Sequence, residues 1–173
     1  FALYLWNSIL VTGGAVLVGL AVGVPAGYGI ARGKATKFAI LILIARMTPA
    51  LSYLIPLFLL FQITGLVGTI TALVITHLVI TIPIIVWIMI GYFENVPMEL
   101  EDAARIDGAT TWQAFRHVAL PLARPGIVVG GILAFIFSWN NFIFSVVLGG
   151  KASRTLPSAV YNSLTFEQIS WGP

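Results

Sequence analysis

Between two long apolar runs the chain reads Glu101-Asp102-Ala103-Ala104-Arg105-Ile106-Asp107-Gly108-Ala109-Thr110-Thr111-Trp112-Gln113-Ala114-Phe115-Arg116-His117-Val118-Ala119-Leu120-Pro121. This is a charged, helix-forming island with a hinge at Gly108 and a stop at Pro121. The rest of the chain has a different chemistry: 59% of all residues are hydrophobic and only 9% are charged, where a soluble domain averages about 25% charged residues. Lipid excludes an island of this polarity, so the layout predicts a surface on which a soluble partner docks.

Working outward, hydropathy predicts four helical spans at 8–30, 38–61, 69–92 and 126–148. Each reaches the roughly 20 residues that cross a bilayer as helix. Runs of this length rule out barrel strands, which need only about 10 residues and alternate in polarity. The fold class is all-α, a polytopic transmembrane helical bundle with two short cytoplasmic helices. It forms one membrane domain, 1–173, with a single excursion at 94–124. Basic residues favour the cytoplasmic face. Lys34 and Lys37 follow Arg32 in the first loop, Arg105, Arg116 and Arg124 lie in the third, and 64–68 carries no charge. Residues 31–37 and 94–124 are therefore predicted inside and both chain ends outside. Phe1 at the start and Trp171-Gly172-Pro173 at the finish read as the limits of a fragment of a longer protein.

Several function classes drop out. The chain has no cysteine, which removes disulfides and thiolate metal sites. The net charge of +3 is scattered over loops and makes no nucleic-acid patch. No Asp or Glu lies in any predicted span, which weakens an ion-driven mechanism built on an intramembrane carboxylate. The run Gly29-Ile30-Ala31-Arg32-Gly33-Lys34-Ala35 fails as a phosphate loop in its spacing and in Ala35, where a hydroxyl is required. Two distant histidines assemble neither a nucleophile–base pair nor a metal site. No catalytic residue, metal ligand or cofactor is predicted, and any motive power comes from another subunit.

Inside the spans, Gly19, Gly23 and Gly27 recur at four-residue spacing, as do Gly126 and Gly130. Such faces let helices approach closely; the other reading is a pathway lining. Pro25, Pro49, Pro56 and Pro83 mark bends. Arg46 is read as snorkelling or bonding a carbonyl, and His77 as making a structural hydrogen bond. Ser138, Asn141 and Ser145 are spaced to share a helix face beside Trp139 and Asn140. Either these polar groups bond between helices or Ser138, Trp139, Asn140 and Asn141 wet a substrate pathway.

Within the island, Pro97 begins a first helix that ends near Asp107, with Glu99, Glu101 and Asp102 favouring its N-terminal dipole and Leu100, Ala103 and Ala104 as its apolar side. Gly108 caps it. Thr110 and Gln113 form a capping box for a second helix, on which Trp112, Phe115 and Ala119 share a side and which Pro121 and Pro125 end. A helix lying on lipid is usually basic on its polar face. The first helix is acidic, which favours a basic protein partner.

The island resembles the EAA loop of binding-protein-dependent ABC importer permeases: Glu-Ala-Ala, three residues, Gly, nine residues, Ile, one residue, Leu-Pro. Here Asp102-Ala103-Ala104, Gly108, Val118 and Leu120-Pro121 hold that spacing, with Asp for Glu and Val for Ile. Neighbouring Glu101 is a candidate to share the role of the shortened acid. Asn7-Ser8, Arg46-Met47-Thr48-Pro49, Gly91-Tyr92-Phe93-Glu94 and Ser138-Trp139-Asn140-Asn141-Phe142 are similar to the carbohydrate branch of these permeases. The resemblance implies a six-helix permease of which the first and last helices are absent here, in a bacterial or archaeal cytoplasmic membrane. It implies ATPase coupling through Glu101, Asp102, Ala103, Ala104, Gly108 and Pro121. The implied partners are a second permease, two ATPase subunits docking on 94–124, an extracytoplasmic solute-binding protein and membrane lipid, with sugar as the solute. Two alternatives remain open at this level: the same type of importer for glycerol phosphate or a polyamine, and a membrane scaffold that transports nothing.

Overall fold

The computed structural model describes residues 1–166, apart from the side chains of Arg46, Ala50 and 163–166. The reading of Arg46, and Glu167, lie outside the described residues. In chain order the helices are α1 (Ala2–Arg32), α2 (Thr36–Met47), α3 (Leu54–Ile63) after a single 3-10 turn Ala50–Tyr53, α4 (Ile70–Glu94), α5 (Met98–Ile106), α6 (Thr111–Ala114), a π turn Phe115–Ala119, α7 (Leu120–Leu122), α8 (Arg124–Trp139), α9 (Ile143–Leu148) and α10 (Leu156–Phe166). No strand occurs among the described residues.

Two of these helices, α1 and α4, are long and apolar enough to cross a membrane. A third crossing exists if the bent pair Thr111–Leu122 and Arg124–Trp139 counts as one. The predicted spans 8–30 and 69–92 thus emerge as continuous helices, whereas 38–61 and 126–148 do not. In the second span the residue before Pro49 is forced extended, with Thr48 at ψ 129°. The Thr48 hydroxyl takes the Ile44 carbonyl at 2.9 Å as α2 stops. In the fourth span Asn140 donates its amide to the Ile136 carbonyl at 2.8 Å, and the Asn141 side-chain oxygen accepts from the Phe144 N–H. Side-chain amides that bond nearby backbone compete with the helical ladder, so α8 gives way to α9 across 140–142. By contrast Pro25 and Pro83 sit inside α1 and α4 without ending either, as packed membrane helices allow.

The described residues form two compact units. The first comprises 1–18, 49–81 and 135–166. Its core gathers Val11, Phe61, Ala72, Leu73 and Leu148, with Phe58 and Leu66 packed against them. Polar ties reinforce it: Asn7 donates its amide to the Ala152 and Arg154 carbonyls at 2.8 and 2.9 Å, Ser8 Oγ accepts from the Leu156 N–H at 2.8 Å, and the Gly68 N–H donates to the Leu148 carbonyl at 2.9 Å.

The second unit comprises 19–48 and 82–134. Here the glycines of α1 and α8 face α4 at close range. A Cβ built on Gly23 would lie 2.8 Å from Ile85 Cγ2, one on Gly27 2.7 Å from Met89 Cβ, and one on Gly126 2.5 Å from the Tyr92 ring. The four-residue glycine spacing therefore serves helix packing at these positions. Buried Ile85, Val86, Met89 and Phe93 on α4 supply the apolar surface that these approaches cover.

Candidate coupling site

The island lies wholly in the second unit. Pro97 is the N-cap of α5, one residue ahead of Met98. The C-terminal end is a Schellman motif. Gly108 stands at φ +94°, its N–H donates to the Arg105 carbonyl at 3.0 Å, and the Ala109 N–H reaches the Ala104 carbonyl at 2.9 Å. Only glycine holds that backbone without strain. The predicted capping box closes as drawn: Gln113 N–H donates to Thr110 Oγ1 at 3.3 Å, and Thr110 N–H donates to Gln113 Oε1 at 2.7 Å.

Pro121 does not end the second helix. The chain widens into a π turn over 115–119, in which the Leu120 N–H reaches back five residues to the Phe115 carbonyl. Pro121 then falls in the first residues of the resumed helix, where its missing donor costs least. The direction changes later, at Ala123, where the two helical stretches meet at 72°. Pro121 itself is half-buried.

The faces of α5 separate cleanly. Asp102 and Ala103 are exposed, Ala104 is half-buried, and Leu100 and Ile106 point outward, Ile106 at 86% exposure. Asp102 makes a loose pair with Arg105 at 3.3 Å. On the following helix Trp112 is 62% exposed while Phe115 and Ala119 are buried, so the side expected to carry all three is split. Trp112 and Phe115 still lie in ring contact, 5.2 Å between centroids. Leu100, Ala103, Ile106 and Trp112 thus leave an apolar surface with Asp102 and Glu99 beside it.

Glu101 is the exception: it is fully buried. Tyr28 Oη donates to its Oε2, and Arg32 Nε donates to its Oε1 at 2.7 Å, completing an ion pair. Arg32 also donates to the Phe93 carbonyl at 2.8 Å and to the Val96 carbonyl at 3.1 Å. The rings of Phe93 and Phe115 close around Tyr28, at 5.3 and 4.6 Å between centroids. Expected as a second docking acid, Glu101 is turned into the protein and does not reach the surface.

The pathway candidates belong elsewhere and do not converge. Ser138 is buried and shares a hydrogen bond of 2.7 Å with His77 Nδ1 and one of 3.4 Å with Thr12. Trp139 stacks on Phe135 at 5.4 Å. Asn140 is exposed and Asn141 half-buried, both spent on local backbone bonds. Ser145 lies beyond the helix break and bonds Ser158 at 3.0 Å and the Thr155 N–H at 3.0 Å. The single face expected for Ser138, Asn141 and Ser145 is therefore not continuous.

Residues 16–172 match the family described as "Binding-protein-dependent transport system inner membrane component". The chain belongs to that family. It is 36% identical, over 94% of its length, to the trehalose transport system permease protein SugB of Mycobacterium tuberculosis, covering 61% of that protein. It is 33% identical, over 91% of its length, to the sulfoquinovosyl glycerol transport system permease protein SmoH of Agrobacterium fabrum, covering 57%. The chain thus spans about three fifths of the curated relatives it matches. Among solved structures, a bacterial ABC transporter involved in the import of the acidic polysaccharide alginate aligns with 99% of this chain and 61% of its own at a TM-score of 0.79 and 27% identity. The fold is that of an ABC importer permease and the protein is an inner-membrane component.

Within this permease, sequence reasoning missed Arg32 and Tyr28. Arg32 was counted only as loop charge. Yet Tyr28 and Arg32 are four residues apart at the end of α1 and so share a face, and that spacing was the available signal.

Proposed function

We propose that this chain is the membrane-spanning permease subunit of an ATP-driven sugar importer, and that its 94–124 loop couples an ATPase to alternating access. The observation that carries the reading is the division of α5: Glu101 anchors one side, while Asp102, Ala103 and Ile106 stand exposed on the other. An apolar, acid-edged helix held to the bundle by its opposite side suits a cleft in a soluble subunit. Closure of a pair of ATPase subunits would push on this helix, and release after hydrolysis would reset it. The chain carries the force and half of a pathway, the other half belonging to a second permease, with a solute-binding protein delivering sugar from outside.

The topology in this proposal places 31–37 and 94–124 in the cytoplasm. The contact of Arg32 with Glu101 supports a common side for these segments. The contacts of Asn7 with Ala152 and of Gly68 with Leu148 support a common opposite side for the chain start, 64–68 and 149–155. Sugar as the solute is supported by the relatives named for trehalose and sulfoquinovosyl glycerol.

The test is made in the full-length transporter. In a background where any cysteines outside 1–173 and in the partner subunits are replaced, Ala103→Cys carries the crosslinker, since 1–173 itself has none, and is expected to capture an ATPase subunit. Asp102→Arg, at an interface where losing a desolvated charge costs about 2–5 kcal/mol, is expected to lower solute-stimulated ATP hydrolysis by about tenfold or more while the protein inserts normally. Crosslinks to phospholipid alone, with uptake intact in Asp102→Arg, would overturn the reading.

A further inference from the structure

Glu101 is an acid with no exposed surface on a helix that otherwise offers its acids to solvent. Both carboxylate oxygens are occupied, one by Tyr28 and one by Arg32. The guanidinium then reaches two backbone carbonyls, Phe93 in the last turn of α4 and Val96 in the linker that follows. One side chain therefore ties together the last residue of α1, the end of α4 and the start of α5. The fork geometry of arginine allows this, where lysine supplies a single point of charge. A positive charge at the end of α1 and α4 also complements the dipoles of both helices.

The mechanical consequence follows from length. α5 has 9 residues, too few to be stable as a helix by itself. It is joined to α4 through 95–97 and turns at Gly108. It also packs on α6 and on the π turn at Phe115–Ala119, which follow it in the chain, so a push on the exposed face could shift these pieces together. The ion pair removes that freedom, because Glu101 can move only if Arg32, and with it the ends of α1 and α4, moves too. Phe93 and Phe115 pack on Tyr28 and keep water from weakening the pair.

We infer that Tyr28, Arg32 and Glu101 form a transmission joint: Glu101 is a positioning residue that passes displacement of the coupling helix α5 into α1 and α4. The joint rests on the docking role proposed above. It differs from a purely structural ion pair in what its loss affects. A structural pair sets how much transporter assembles; a joint sets how much solute moves per ATP hydrolysed in the transporter that does assemble.

The experiment reconstitutes the full-length permease with its partner permease, ATPase subunits and solute-binding protein in proteoliposomes. Solute uptake and ATP hydrolysis are measured together, per assembled complex. Glu101→Gln keeps the side-chain shape but removes the charge, and Arg32→Lys keeps the charge but loses the fork. Each is expected to cut solute moved per ATP by about tenfold, and the double variant Glu101→Gln, Arg32→Lys to be no worse than either single change. If Glu101→Gln fails to assemble, Tyr28→Phe, which removes one donor and no charge, is expected to lower the ratio at least about twofold. A wild-type ratio in the assembled variants overturns the joint, as does loss of the ATPase subunits from them, since Glu101 would then serve docking. Capture of the ATPase by Ala103→Cys beside an unchanged ratio sinks the joint alone. Failure of that capture in the otherwise wild-type protein sinks the docking role first.

Discussion

Gly126 has a Tyr92 ring carbon where its own Cβ would stand, at 2.5 Å, whereas Gly13 has nothing within 4 Å of that position. Both were small residues in apolar helices to the eye, yet they predict opposite outcomes. Gly126→Ala drives the start of α8 away from α4 and is expected to destabilise the protein by about 1–3 kcal/mol, the usual cost of overpacking. Gly13→Ala meets open space and gains helix propensity of about 1 kcal/mol, so it is expected to be neutral or stabilising. Thermal unfolding of the two variants in the same detergent checks the pair, and equal midpoints would contradict the close approach at Tyr92. The same residue scale separates the two acids of the island. Glu101 and Asp102 are adjacent in sequence, but a turn of 100° per residue sends one into an Arg32 salt bridge and leaves the other in solvent.

At the scale of elements, α6 is a single turn held by its capping box, followed at once by a π turn. Thr110→Ala removes the acceptor for the Gln113 N–H and is expected to cost about 1 kcal/mol. Hydrogen exchange of the 110–119 amides should rise in that variant while α4 amides stay protected; uniform change, or none, would mean the cap does not hold this segment. Such caps were legible in the sequence because they are local: Thr110, Gln113 and Gly108 need only their own neighbours to act. The long helices α1 and α4 were legible for the same reason, as uninterrupted apolar runs. What the sequence hid is what depends on distant partners or on small competitions. Thr48-Pro49 and Asn140-Asn141 break helices inside runs that hydropathy alone reads as continuous. Pro121 read as a stop because the π turn that accommodates it leaves no pattern in composition. The inward turn of Glu101 required knowing that Arg32, 69 positions away in sequence, ends the helix beside it.

At the scale of the whole molecule, each unit brings together segments that the topology proposed above puts on a common side of the membrane. The second unit holds the Arg32, Lys34 and Lys37 loop together with the island; the first holds the chain start, the 64–68 turn and the stretch around Lys151. The topology proposed above draws on the statistics of basic residues and is supported by hydrogen bonds such as Asn7 to Arg154 and Arg32 to Val96, which hold segments of one proposed side together. The proposed topology makes a sharp prediction, read in a background where any cysteines outside 1–173 are replaced. In intact cells, Lys34→Cys and Ile106→Cys are expected to resist a membrane-impermeant maleimide and to react once the membrane is opened and the ATPase subunits are stripped off. Gly65→Cys and Lys151→Cys, both exposed, are expected to react from outside in intact cells. The four sites must sort two against two. Labelling of Lys34→Cys from outside while Ile106→Cys stays protected would separate two segments that the Arg32–Glu101 pair binds together, and no helical arrangement with that pair intact could satisfy both results.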